Sequence, residues 1–411
     1  MSSQPDNRGR MPDPLRDLLV KEADRCVACG MCLPVCPTYG LLREEGDSPR
    51  GRISLIAALA RGELEPDAGL ATHLDRCLVC LRCQPVCPAG VRYGTLIDGA
   101  RALLRRRGVA SASSGWSRFL VRTLGDPRRA RRLSRGLRWY RELGLQRVAR
   151  ATGLTARLGV ERLDRSLENR PRSGWRAWYP PEGERRGEVA LFVGCTGGLL
   201  DAGTVDDAIR LLTASGFGVH VPPRQGCCGA LARHEGDPEE GDLARLRNLE
   251  AFDGLQVEAN LFLASGCGVE LQEGVRGVRW MDPLSFLEER WSSAGVPPLR
   301  PMKKRAVLHL PCSQRRLREG GEGVLGALRR IPELEVEVPT LRHGCCGAAG
   351  LYPHRQPEIA ARLGEAAVED LWLEGADLLL TTNVGCALHL RQHAPGLRVC
   401  HPLSLLAEQL N

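Results

Sequence analysis

The sequence predicts an α+β chain of several domains: an N-terminal helical module organised by cysteine, a basic helical connector and a duplicated α/β unit. Eight of the 17 cysteines form two copies of one pattern, and few β-branched alternations occur before residue 187. Beyond that point four landmarks recur in one order at a nearly constant offset. These observations divide the 411 residues into a loose tail (1–20), a cysteine module (21–105), a connector (106–186) and two repeats (187–300 and 301–411).

The first element to justify is the module. Its runs are Cys26-x-x-Cys29-x-x-Cys32-x-x-x-Cys36-Pro37 and Cys77-x-x-Cys80-x-x-Cys83-x-x-x-Cys87-Pro88. A cubane 4Fe-4S cluster needs four thiolates around one inorganic core, and three cysteines at two-residue gaps can wrap only a corner of it. In the duplicated bacterial ferredoxin-type pattern, the fourth cysteine of each run serves the other cluster. The expected ligands are therefore Cys26, Cys29, Cys32 and Cys87 for one centre, and Cys77, Cys80, Cys83 and Cys36 for the second. The proline after each fourth cysteine is expected to turn the chain away from the cluster rather than into a helix. Zinc ribbons use paired Cys-x-x-Cys knuckles and have no use for the extra cysteines of each run. Disulfides require an oxidising compartment, and the N-terminus offers no positive segment followed by an apolar one.

No apolar stretch approaches the roughly 20 residues that span a bilayer. Cysteine usage without a secretory signal points to a reducing cytoplasm. The net charge of +8 conceals an asymmetry: residues 101–186 hold 23 basic against 7 acidic side chains, while the remainder holds 34 against 42. Within that segment DPRRARRLSRGLRWYRELG interleaves Leu, Trp and Tyr at near-helical spacing. It reads either as a solvated helical face or as a surface for an acidic partner or anionic lipid. No nucleic-acid motif accompanies the charge. Between the cysteine runs, SPRGRISLIAALARG carries Ile53, Leu55, Ile56 and Leu59, which suit a helix packed beside the clusters.

From residue 187 the repeat sets the pattern. GEVALFVGC ending at Cys195 matches KRAVLHLPC ending at Cys312, and the segment leading to Cys227, Cys228 and Gly229 matches that leading to Cys345, Cys346 and Gly347. ANLFLASGC ending at Cys267 matches ADLLLTTNVGC ending at Cys386, and DPLSFL at 282 matches HPLSLL at 401. Strands alternating with helices indicate parallel α/β units, and cysteines placed after strands should converge on one edge of each unit. The glycine after each cysteine pair permits a turn tight enough to aim both thiols at one centre. Cys195, Cys227, Cys228 and Cys267 then form one set of four, and Cys312, Cys345, Cys346 and Cys386 the other.

This half resembles the CCG domain of heterodisulfide reductase subunits, where the last cysteine belongs to a Cys-x-x-Cys pair and a noncubane iron-sulfur centre is bound. Here the position three residues on is Glu270 in one repeat and His389 in the other, the latter expected at the surface. Two readings stay open: metal or redox chemistry in at least one repeat, or structural thiols lining a docking or quinone-facing cleft.

Taken together, the two cysteine runs, the strings SPRGR, HLDRCLVCLRC and CPAGVRYG, and the two CCG repeats resemble the iron-sulfur subunit of bacterial glycolate oxidase (glycolate dehydrogenase). The resemblance implies an electron-transfer subunit with two 4Fe-4S clusters, FAD on separate partner subunits, and electrons passed toward quinone. It implies a cytoplasmic protein or one peripheral on the inner face of the membrane, with no catalytic residue of its own. Parts are shared with iron-sulfur proteins of lactate and glycerol-3-phosphate oxidation, and a heterodisulfide-reductase-like active site in the CCG repeats is the competing expectation. No GxSxG elbow, and no His paired with a plausible nucleophile, argues for substrate chemistry in this chain.

Overall fold

The computed structural model describes residues 13–109, 115–157, 161, 164, 174–274 and 278–411. Residues 1–12 of the tail expected over 1–20, and parts of the connector, lie outside the described residues; the rest of that tail is corrected, because helix Pro14–Ala23 begins there and buries Leu19 in the core. The chain forms two compact units: one comprises residues up to 112 with 234–236, the other residues 113–233 with 237–411.

The first unit is helical. Its helices are Pro14–Ala23, Pro37–Leu42, Pro49–Arg61, Ala68–Asp75 and Tyr93–Arg106. Leu19, Ile53, Ile56, Leu59, Leu74, Leu96 and Ile97 fill its core, and the buried cysteines Cys77 and Cys83 belong to the same cluster of side chains. Helix Pro49–Arg61 starts where Ser48 accepts from the Gly51 amide (2.9 Å), and it ends at Gly62, whose φ of +77° suits a left-handed cap. The expectation for the first proline is corrected. Pro37 opens a helix with Cys36 as its N-cap, because a proline at the first helical position loses no hydrogen bond and already holds a helical φ.

The second unit begins with helices Gly115–Gly125, Pro127–Glu142, Leu145–Ala151 and Leu154–Arg157, and continues into two sheets. Strands β1 (Trp178–Tyr179), β2 (Gly187–Phe192), β3 (Phe217–His220), β4 (Ala259–Phe262) and β5 (Trp280–Met281) form the first, in the order β1-β3-β2-β4-β5. All its pairings are parallel except the edge pair β1 with β3. Strands β6 (Lys304–His309), β7 (Leu334–Glu337), β8 (Leu378–Thr381) and β9 (Arg398–Cys400) form the second, wholly parallel and ordered β7-β6-β8-β9. Without β1 the two orders are identical, as duplication requires. In each sheet the chain leaves the first strand to one side and returns on the other. The crevice created by that reversal lies at the strands' carboxyl ends.

Buried residues of both repeats share one core, in which Leu284, Leu287 and Trp291 meet Val324, Leu328, Leu403 and Leu406. One string bordering this core, Gly321-Glu322-Gly323-Val324-Leu325-Gly326, has the spacing of a dinucleotide-binding fingerprint. It stands well past the end of β6, and its glycines are used for packing. A Cβ on Gly323 would lie 2.7 Å from Ser285 Cα, and one on Gly326 3.1 Å from the Glu288 side chain. These glycines let helix Glu322–Leu328 approach helix Pro283–Ala294 closely.

Candidate metal centres

In the helical unit, Cys26, Cys29, Cys32 and Cys87 line one cavity that opens partly to solvent, with Val27, Ala28, Met31, Ile53 and Val91 among its other walls. Cys83 and Tyr93 line the same cavity. The Cys83 thiol is pushed far up, first by burial and then by the neighbouring sulfurs of Cys80, Cys77, Cys36 and Cys32. The thiol of Cys32 is also raised, mainly by burial, with Cys26 and Cys36 adding to it. Cys87 thus shares a cavity with the first three cysteines of the other run, and Cys36 lies close enough to both Cys83 and Cys32 to raise their thiols. Cys36, Cys77 and Cys83 are buried, whereas Cys29 is exposed.

The residues fit an iron-sulfur core in three respects. The donors are eight thiols, the ligands such clusters take. Between them the backbone is held in left-handed conformations at Ala28 (φ 54°), Val79 (φ 52°) and Leu81 (φ 55°), as well as at Gly30 (φ 84°). Such a conformation is strained for a β-branched residue such as Val79. Successive turns of this kind point backbone amides inward toward negative charge, and the Val79 amide already donates to Cys77 Sγ at 3.4 Å. Thirdly, the cavity walls are largely apolar, which excludes competing donors.

The α/β unit gathers its thiols differently. Cys195 and Cys267 sit in the first turns of helices Gly194–Leu200 and Ser265–Gly274, directly after β2 and β4, while Cys227 and Cys228 lie on the loop after β3. The four sulfurs form a chain of contacts. Cys227 is held well below the ordinary thiol range by bonds from Cys195 and Cys228, helped by the Gly229 amide at 3.5 Å. Cys195 is raised by its bond to Cys227 and by burial, and Cys228 by its bonds to Cys227 and Cys267. The second repeat copies this arrangement. Cys312 bonds Cys345 and is raised by that contact and by burial, and Gly347 donates to Cys345 Sγ at 3.5 Å. Cys346 bonds Cys345, which opposes a net upward shift produced by Cys386 and burial.

The glycine of each CCG is dictated by geometry. Gly229 has φ +100° and a Cβ there would lie 2.4 Å from the Gly241 carbonyl oxygen; Gly347 has φ +89° and would meet the Ala360 oxygen at 2.8 Å. Asn248 locks the first loop, donating to the Cys227 carbonyl (2.7 Å) and accepting from the Gly226 amide (2.9 Å). Gln225 ties this loop to the Cys195 turn by accepting from the Val193 amide (2.6 Å) and donating to the Leu191 carbonyl (3.0 Å). Neither residue was legible as a site residue, since a lone polar side chain, in a helix for Asn248 and in a loop for Gln225, carries no distinctive spacing.

The positions three residues after the last cysteines are otherwise engaged. Glu270 accepts from Arg233 Nε at 3.2 Å. His389 is buried, not at the surface as expected, with Nε2 bonded to the Ala360 carbonyl at 3.0 Å and its ring against His393. It lies on the inward face of helix Val384–His393, and its bond to Ala360 explains why a titratable ring is tolerated there.

These features define an iron-sulfur protein with a helical di-cluster module and two cysteine-rich α/β repeats. Comparison with known families agrees. The profile of the 4Fe-4S dicluster domain matches residues 22–91, that of the cysteine-rich CCG domain matches 189–272 and 306–391, and that of the glycolate oxidase iron-sulfur subunit linker region matches 112–165. The glycolate oxidase iron-sulfur subunit of Escherichia coli is 31% identical, covering 89% of each chain, and the probable glycolate oxidase iron-sulfur subunit of Bacillus subtilis is 29% identical over 89% of this chain and 88% of its own. A subunit of the anaerobic glycerol-3-phosphate dehydrogenase of Escherichia coli is 26% identical over 57% of this chain and 63% of its own. The chain belongs to the family of glycolate oxidase iron-sulfur subunits.

Proposed function

We propose that this chain is the electron-transfer subunit of a flavin-dependent 2-hydroxy-acid dehydrogenase, with glycolate as the substrate oxidised on partner subunits that carry FAD. The observation that carries it is the pairing of two four-thiol sets inside one helical unit. Cys26, Cys29, Cys32 and Cys87 would hold one 4Fe-4S cluster, and Cys77, Cys80, Cys83 and Cys36 the other. Clusters of this type accept and release single electrons without proton chemistry at a substrate. Protein purified anaerobically should contain about eight irons from these sets, and Cys29→Ser or Cys80→Ser should each remove about four. Each variant should also abolish reduction of an artificial quinone by the glycolate-fed complex. Zinc in place of iron, or turnover retained by both variants, would overturn the reading.

The repeat tetrads carry the second reading. Cys195, Cys227, Cys228 and Cys267, and likewise Cys312, Cys345, Cys346 and Cys386, place four sulfurs within mutual reach, a number sufficient for a further metal or redox centre. Iron clearly above about eight per chain, lost on Cys228→Ser, would establish it.

The basic connector supplies the docking surface, toward a quinone-bearing membrane. On helix Pro127–Glu142, Arg128, Arg132, Arg135 and Trp139 recur at three- and four-residue spacing, with Leu143 just beyond; Trp139 and Leu143 are exposed, as are Leu145 and Val148 on the next helix. Among the described residues no helix is long and apolar enough to cross a membrane. Charge reversal at Arg128, Arg132 and Arg135 should reduce co-sedimentation with anionic vesicles severalfold while leaving neutral vesicles unaffected; equal binding to both would count against it.

A further inference from the structure

One of the strings that carry the family resemblance, SPRGR, ends in Arg52, whose role the ligand assignment leaves unexplained. Arg52 is the largest fully buried side chain among the described residues. Its guanidinium donates to the His73 carbonyl through Nε (2.7 Å), to Thr38 Oγ1 through Nη1 (3.1 Å) and to Asp47 Oδ1 through Nη2 (3.2 Å). Thr38 Oγ1 in turn lies 3.4 Å from Cys36 Sγ and donates to the Asp47 carbonyl at 3.0 Å. Asp47 does not simply cancel Arg52, because it divides its oxygens with Arg76, whose Nη1 donates to Oδ2 at 2.8 Å. Burial opposes the charge on Arg52, yet a guanidinium keeps its proton in proteins, and the Asp47 carboxylate in contact with it supports the charge. Tyr93, buried as well, directs its hydroxyl at Cys77 Sγ at 3.6 Å. A second buried guanidinium, Arg101, donates to the Cys77 carbonyl at 2.8 Å.

Among the described residues the other sulfur set has no such buried cation. The guanidiniums bonded to its loops, Arg50 on the Ala28 carbonyl (3.2 Å) and Arg25 on the Ala89 carbonyl (3.3 Å), are held at exposed positions where water screens their charge. An added electron increases the negative charge of a thiolate-bound cluster. Burial therefore disfavours reduction, while a fixed cation or a donor on a sulfur favours it.

We propose that Arg52, seconded by the Tyr93 hydroxyl, is a positioning and tuning residue that raises the reduction potential of the centre held by Cys36, Cys77, Cys80 and Cys83, so that the more deeply buried of the two centres can accept an electron. The inference rests on the crosswise ligand assignment. It assigns the SPRGR arginines separate duties: Arg50 pins the loop of the open site, and Arg52 provides charge at the closed one.

The test is a dithionite titration of the anaerobic full-length protein, followed by low-temperature paramagnetic resonance. Arg52→Gln should lower the midpoint potential of one centre and leave the other in place, Arg52→Lys should restore most of the loss, and Arg50→Gln should not move the centre that Arg52 shifts. If Arg52→Gln fails to assemble, Tyr93→Phe decides, since the ring still fills its space; it should lower the same midpoint by a smaller amount. Unchanged potentials in the assembled Arg52→Gln protein, or in Tyr93→Phe, overturn the proposal. Cys77→Ser identifies the centre: loss of the signal that Arg52 shifts upholds the assignment. Retention of both signals in Cys77→Ser would overturn the assignment and the proposal together, an outcome distinct from unshifted potentials.

Discussion

The thiols of the helical unit and those of the α/β repeats are assembled by opposite means. In the helical unit they hang on loops whose backbone is held in left-handed turns at Ala28, Val79 and Leu81, and one of them, Cys29, is exposed. In the repeats they stand at the carboxyl ends of parallel strands and bond one another, Cys195 to Cys227 and Cys228 to Cys267. The difference teaches where metal is structurally required. Strained turns that carry thiols need a cationic core to hold them together. A chain of thiols that satisfy one another on a rigid sheet needs none to fold.

The largest expected effect follows directly from this contrast. Protein stripped of iron under reducing conditions should lose hydrogen-exchange protection around 26–36 and 77–87, with local stability falling by on the order of 5 kcal/mol or more, because binding energy at such a site is folding energy. The strands β2, β4, β6 and β8 should keep their protection. Equal loss in both units would erase the distinction, and an unaffected helical unit would reverse it.

A smaller effect sharpens the comparison inside the repeats, where a tight turn positions the paired sulfurs. Gly229→Ala forces a Cβ to within 2.4 Å of the Gly241 oxygen at a φ of +100°. It should cost about 2–4 kcal/mol, combining backbone strain with a steric clash. Gly254→Ala, at φ +71° with nothing within 4 Å, shares the strain without the clash and should cost about 1 kcal/mol in urea unfolding. Similar costs for the two would mean that the CCG loop relaxes and does not fix the thiols.

What the sequence disclosed tracks which features are local. The cysteine spacing identified the eight N-terminal sulfurs because each run is a contiguous string, and the repeat offset identified the duplicated sheet because homologous landmarks need only be compared in order. The short strand β1 was not legible. Two residues carry no periodicity, and it forms only because β3 offers a free edge. The clamp residues Asn248 and Gln225, and the interior placement of Arg52 and His389, were hidden for the same reason. Their meaning lies in contacts with residues far away in sequence, and a polar residue reads as exposed until its partner is known. Pro37 shows the reverse error, a local rule applied without noticing that the first helical position is where proline is most at home.

The last effect, which fades to little below pH 4, compares equivalent positions in the two repeats, Asp282 and His401, each capping the helix that follows the last strand of its repeat. Asp282 accepts from the Leu284 and Ser285 amides, yet burial, reinforced by Glu319, pushes its carboxyl up to about 7 from 3.8. His401 accepts from the Leu403 amide and bonds the Leu263 carbonyl, and burial pushes it down to about 4 from 6.5. The native state thus binds more protons than the unfolded chain at Asp282 between 3.8 and 7, so that this stability is present at low pH and lost as pH rises through 7. At His401 it binds fewer between 4 and 6.5, so that stability is present above 6.5 and lost as pH falls toward 4. The opposing slopes largely cancel between about 4 and 6.5, as they do for the similarly buried Asp201, raised to about 6, and His309, lowered to about 4. Asp282→Asn keeps a capping oxygen and removes the ionisation. It should stabilise the α/β unit at pH 8 by at most about 4 kcal/mol, by little below pH 4, and should uncover a rise in stability with pH from about 4 to 6.5 that the parent lacks. A difference between parent and variant that stays constant from about pH 4 to 8 would show that Asp282 is charged throughout, and that aspartate and histidine cap the two repeats on equal terms.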